Sequence, residues 1–191
     1  MSHTRTRRAA VLAAATVTAA LVLTACAGEG SSPSGHNAQD VAFAQGMVPH
    51  HRQAVEMAGL AADRAGSAGV RDLAARIEKA QDPEIETMSG WLESWGEETS
   101  AGGSGHSGHS GTAGMPGMMD DAAMGELEKA SGTAFDTLFL TLMTEHHEGA
   151  VAMAETERAK GEYAPATGLA DDIVTGQTAE IAEMNQLLGK D

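Results

Sequence analysis

The chain contains the same pattern twice, and this repeat limits what it can fold into. His50 and His51 are preceded by Met47 and followed by Ala54, Val55, Met57 and Ala58. His146 and His147 stand in the same frame of Met143, Ala150, Val151, Met153 and Ala154, and every matching pair is 96 positions apart. The correspondence extends outward. Asn37, Asp40 and Phe43 align with Thr133, Asp136 and Phe139, and Leu73, Ile77, Gln81, Glu84, Ile85, Met88 and Leu92 align with Leu169, Ile173, Gln177, Glu180, Ile181, Met184 and Leu188. Apolar residues recur at three- and four-residue spacings, and no period-two runs of β-branched residues occur. The chain therefore reads as all-α. Each half is two helices: 39–65 and 68–95 broken at Gly66-Ser67, then 134–160 and 165–188 broken at Gly161, with Pro165 in the first turn of the last helix. A short extra helix fits near 119–130. Asn37/Asp40 and Thr133/Asp136 both read as capping boxes, while Pro49 and Pro83 should kink or interrupt their helices. Two repeated helical hairpins pack most simply as a four-helix bundle.

The histidines lie on the faces that such a bundle buries. Phe43, Met47, His50, Ala54 and Met57 form one core-facing seam, and Phe139, Met143, His146, Ala150 and Met153 form the other. His51 and His147 stand about 100° round each helix, on the flank of the seam, one turn from Met47 and Met143. Burying four imidazoles without partners is costly. Ligation of a metal ion by His50, His51, His146 and His147 removes that cost, with Met47 and Met143 as soft donors. Glu84 and Glu180, with Gln81 and Gln177, could orient the imidazoles from behind. The same four residues also suit a purely structural His–Glu/Gln network. Di-iron bundles carry Glu-x-x-His on their inner faces, whereas here the pattern is Met47 to His50 and Met143 to His146. A thioether in place of a carboxylate favours copper, with silver as its mimic, over iron or zinc.

Between the halves, about 97–120, runs a Gly/Ser-rich linker that carries His106, His109, Met115, Met118 and Met119, a tract able to supply accessory metal ligands. No nucleophile with an activating base and no phosphate-binding loop is present, so no catalytic residue is assigned.

Residues 1–25 read as an export signal: Arg5, Arg7 and Arg8 precede an apolar run of about 15 residues, short of the roughly 18–20 that span a bilayer. Leu23-Thr24-Ala25-Cys26 resembles the lipobox of bacterial lipoproteins, which implies cleavage before Cys26 and its diacylation. The spacer 26–37 would then tether an extracytoplasmic domain, 38–189, to the outer face of a membrane. Cys26 is the only cysteine, so there is neither an internal disulfide nor a thiolate ligand. The net charge of −15 argues against nucleic acid and suits attraction of cations.

Three stretches carry a family resemblance: Asp40, Phe43, Met47, His50, His51, Ala54, Met57 and Ala58; then Gln81, Glu84, Ile85, Met88, Trp91 and Leu92; then Gly114 to Met119. Together they resemble the bacterial domain-of-unknown-function family DUF305 over roughly 38–189. The resemblance implies a ferritin-like, exported helical bundle linked to copper or silver binding and metal tolerance. Trp91 departs from the internal symmetry, since Leu187 stands opposite it. The leading expectation is a lipid-anchored copper-binding or buffering protein that is not an enzyme. Two competing readings are a ferritin-like metal-dependent oxidoreductase and a non-catalytic interaction module with structural histidines. A site within one chain and a site shared in a homodimer both fit the spacing.

Overall fold

The computed structural model describes residues 35–99 and 115–190. Residues 1–25, expected above to be an export signal, Cys26 and the histidines His106 and His109 lie outside the described residues. Five helices follow in order: α1 (Ala38–Arg64), α2 (Ala68–Trp95), α3 (Asp121–Lys129), α4 (Gly132–Lys160) and α5 (Ala164–Leu187). These are the two expected hairpins and the short extra helix, with ends within about two residues of those read from periodicity. Among the described residues no helix is long and apolar enough to cross a membrane. Within each hairpin α1 packs on α2 and α4 on α5. The hairpins meet mainly through α1 and α4, and α2 approaches α5 only lightly.

Helix starts differ from the expected symmetry. Asn37 forms the full capping box: its side chain accepts from the Gln39 and Asp40 amides, and the Asp40 carboxylate accepts from the Asn37 amide at 2.6 Å. The matching box at Thr133 and Asp136 does not form. Helix α4 begins earlier, after Ser131, without a side-chain cap, so Asp136 lies too deep to reach its own helix end. Its carboxylate instead accepts from Gly66 N and Ser67 N, both at 2.9 Å, in the α1–α2 turn. Asp40 reaches across in the same way, accepting from Glu162 N and Tyr163 N at 3.1 and 3.0 Å. Each hairpin therefore satisfies the orphan amides of the other hairpin's turn, which aligns α1 and α4 antiparallel. The two internal prolines break neither helix: α1 runs through Pro49 and α2 through Pro83. Only one ladder bond is lost at each, and packing on neighbouring helices outweighs it.

The interior is two apolar clusters rather than one. Phe135, Phe139, Met143, Leu73 and Ile77 anchor the first. Phe43, Met47, Met88, Leu92 and Ile173 anchor the second. In every long helix the residues that change cluster are separated by polar ones: His50 and His51 in α1, Gln81 and Glu84 in α2, His146 and His147 in α4, Gln177 and Glu180 in α5. A polar layer crosses the bundle at mid-height.

Candidate metal centre

The layer begins with His50 on α1 and His146 on α4, which meet where the hairpins touch. Their ring centroids are 3.8 Å apart, and the residues are 0% and 1% exposed. His51 and His147 are not left at a flank. Helices α2 and α5 cover them, and both are fully buried. His51 Nε2–H donates to Glu84 Oε2 at 2.7 Å, and His147 Nε2–H donates to Glu180 Oε2 at 2.8 Å. The two glutamates are themselves partly exposed, so each links a buried imidazole to the surface.

These bonds fix the tautomers. A carboxylate only accepts, so Nε2 of His51 and of His147 carries a proton, and in the neutral ring the free lone pair is on Nδ1. His50 Nε2–H donates to the Pro116 carbonyl at 3.0 Å, which leaves its Nδ1 in the same state. The Nδ1 atoms of His50, His51 and His147, and both ring nitrogens of His146, are buried without a hydrogen-bond partner. A buried polar atom left unpaired costs about 1–3 kcal/mol, so such a cluster is held against a gradient that a ligand would relieve. Burial pushes the His50 imidazole down to about 3, with the neighbouring His51 and His147 adding to the effect against the Pro116 carbonyl. Burial also holds His146 well below the ordinary value, with His50 the next contributor. Both are neutral imidazoles at neutral pH, the form that binds a metal ion. Among the described residues no three His, Cys, Asp or Glu side chains already converge as a formed metal cage.

The glutamines do not join the histidines. Both amide atoms of Gln81 and the oxygen of Gln177 lack partners and are buried. They line, with Glu84 and Glu180, a cavity of about 60 Å³ between α2 and α5, room enough for water to satisfy them. The structural His–Glu/Gln network is thus only a His–Glu one. Met47 and Met143 are fully buried one turn before the inner histidines, each in a different apolar cluster.

Three parts of the site are not anticipated by the sequence pattern. The end of the linker closes over the α1–α4 side of the layer and supplies the Pro116 carbonyl. Gly149 on α4 makes this possible, because a β-carbon there would run into that carbonyl. Gly117, at φ 75°, turns the chain against the backbone of Glu145 and His146. Gln53 on α1 holds the same segment, donating to Met119 O at 2.9 Å and accepting from Met119 N at 2.8 Å. Gln53 and Gly149 occupy equivalent positions of the repeat, and that mismatch is the one signal of this contact in the sequence. Of the linker methionines, Met119 packs on the first apolar cluster, Met118 is half-buried, and Met115 approaches α1.

The profile of the DUF305 family, a domain of unknown function, matches residues 40–188. The chain belongs to the DUF305 family. A DUF305 protein from Streptomyces coelicolor, named as a candidate secreted protein, has 36% identity and a TM-score of 0.70, over 80% of this chain and 91% of that one. A DUF305 fragment from Deinococcus radiodurans has 32% identity and a TM-score of 0.70, over 81% and 98%. The protein CopM in its Cu(II)-bound form has 33% identity and a TM-score of 0.66, over 78% and 95%; it has also been solved in Cu(I)- and Ag-bound forms. Comparison with curated proteins finds no match. The all-α bundle expected from the repeat is thus the DUF305 fold.

Proposed function

We propose that this DUF305 protein binds and buffers copper outside the cytoplasm, tethered to the membrane through a lipid on Cys26. The observation that carries the reading is the buried, neutral His50–His146 pair, with unpartnered ring nitrogens, flanked by His51 and His147. These four imidazoles are the ligands, and Met47 and Met143 are the candidate soft donors one turn away. Silver(I) takes the place of copper(I), and iron and zinc fit the thioether-containing set less well. Glu84 and Glu180 orient the outer imidazoles through Nε2–H. Copper- and silver-bound CopM supports the choice of metal. The reading is of a carrier rather than an enzyme: each carboxylate of the layer is occupied by an imidazole, which leaves no paired carboxylates of the di-iron kind.

Titration with Cu(I) and Cu(II), in wild type and in the quadruple His50/His51/His146/His147→Ala variant, tests the assignment. The variant should lose the bound copper, and unchanged stoichiometry would sink it. Copper should also raise the melting temperature of the wild type, because a ligand bound only to the folded state stabilises it.

A further inference from the structure

A second group of soft donors lies on the side of the layer that the linker covers. A β-carbon placed on Gly46 would stand 3.7 Å from Met153 Sδ and 3.8 Å from Met115 Sδ. Two thioethers from distant parts of the chain, one on α4 and one on the linker turn, thus enter the same small space beside α1. Gly46 is one helical turn before His50. Met115 directly precedes Pro116, whose carbonyl receives the His50 Nε2–H.

The repeat shows that this grouping belongs to one half. Leu142 stands where Gly46 would be in the second half, and its bulk would fill the space. Met57 is the counterpart of Met153, and it is fully buried in the first apolar cluster. Met153 and Met115 are only partly buried. As whole residues they are more exposed than His50 and His146. Methionine has three side-chain torsions, so the pair can close on an ion without moving the backbone. Thioethers select Cu(I) and Ag(I) and bind Cu(II) poorly.

We propose that Met115 and Met153 form a thioether site for a soft monovalent cation, Cu(I) or Ag(I), over Gly46 at the mouth of the histidine layer. The site deepens the copper reading and rests on it. Of the two candidate sulfur pairs it selects Met115 and Met153 over Met47 and Met143, which are fully buried in separate apolar clusters.

X-ray absorption on the full chain in detergent, loaded with one equivalent of Cu(I) or Ag(I), separates sulfur from nitrogen neighbours. Competition with a chromogenic Cu(I) chelator gives the affinity. The wild type should show sulfur scattering. Met115→Leu/Met153→Leu should lose it and weaken Cu(I) binding by at least about tenfold, the scale on which even a ligand's supporting partner acts. Cu(II) affinity should stay within about twofold, since thioethers contribute little to it. Gly46→Leu should reproduce the loss while retaining every methionine, and it favours the helix, so it gives a second route if the double variant folds poorly. Sulfur scattering that survives in both variants and disappears in Met47→Leu/Met143→Leu overturns the site. Cu(I) bound by the wild type with nitrogen neighbours alone also overturns it, and leaves the histidine reading intact. A wild type that binds neither Cu(I) nor Cu(II) removes the copper reading itself, and this site with it.

Discussion

The first hairpin and the second build the same half-site and treat the linker differently. His51–Glu84 and His147–Glu180 are superimposable in kind, at 2.7 and 2.8 Å, with both imidazoles fully buried. Around them the correspondence fails. Gln53 grips the linker backbone, and its counterpart Gly149 yields space to it. Gly46 admits two sulfurs where Leu142 would exclude them. Ala61 is a buried core residue, while Glu157 at the equivalent position buries a carboxyl group. Trp91 packs edge-on to Tyr163 at 5.6 Å, whereas Leu187 is exposed. The shared pairs make the polar layer, and the mismatched pairs give it one covered side. A duplicated hairpin thus becomes a site with two unlike faces.

The largest expected effect comes from Glu157, which has no titrating equivalent in the first hairpin. Burial pushes its carboxyl from 4.5 up to about 8, helped by the adjacent Asp40. Written as two carboxylates the pair has no donor, and a proton on Glu157 supplies one. Burial pushes Asp40 up too, yet the hydrogen bonds from Glu157 and from the amides of Asn37, Tyr163 and Glu162 outweigh it and hold Asp40 below its ordinary value. Between 4.5 and about 8 the folded state keeps a proton on Glu157 that the unfolded state has lost, so stability should fall as pH rises through that window. The loss should be on the order of a few kcal/mol by pH 8. Denaturant melts of wild type and Glu157→Gln across pH 4.5 to 8 check this; an equally steep fall in the variant would assign the dependence elsewhere.

Next come the matched glutamates. Glu84→Ala or Glu180→Ala leaves a buried Nε2–H unpaired, at a cost of about 1–3 kcal/mol, and should weaken copper binding by about 10–100-fold. Equal losses in the two variants would support a symmetric layer. A clearly larger loss for one of them, seen in copper titrations, would locate the ion in that half.

Gly149→Ala should cost less, about 1 kcal/mol. Overpacking against the Pro116 carbonyl costs about 1–3 kcal/mol, and the better helix propensity of Ala returns up to about 1. Hydrogen exchange at Met119 N should rise in this variant, because the turn that Gln53 grips is lifted from α4. Protection left unchanged there would show that the turn is held from α1 alone. The smallest effect belongs to Trp91→Leu, which makes the first hairpin resemble the second. The lost aromatic packing should lower stability by about 0.5–1.5 kcal/mol and leave copper affinity unaltered. A change in affinity would tie the aromatic cluster to the site.

Much of the bundle is legible in the amino-acid sequence. Hydrophobic spacing marks the helices because side chains three and four apart share a face whatever surrounds them. The 96-residue offset places the two histidine doublets on facing elements, since repeats of one hairpin bury the same stripe. Even Glu84 and Glu180 stand out by their matched positions. Thr133 and Asp136 mislead, because an Asp near a helix start suits a cap on its own helix and a cap on a neighbouring turn equally well. Only the packed hairpins select between them.

The helices, their pairing into two hairpins and the inward seam that carries His50 and His146 are properties of the sequence, because all of these follow from local periodicity repeated. His51 and His147, by contrast, are buried only because α2 and α5 cover them. Which lone pairs stay free is a property of the tertiary structure. That choice rests on acceptors far along the chain, with His50 meeting Pro116 and His51 meeting Glu84. Contacts of that kind depend on the path of the backbone between elements, which no local pattern encodes.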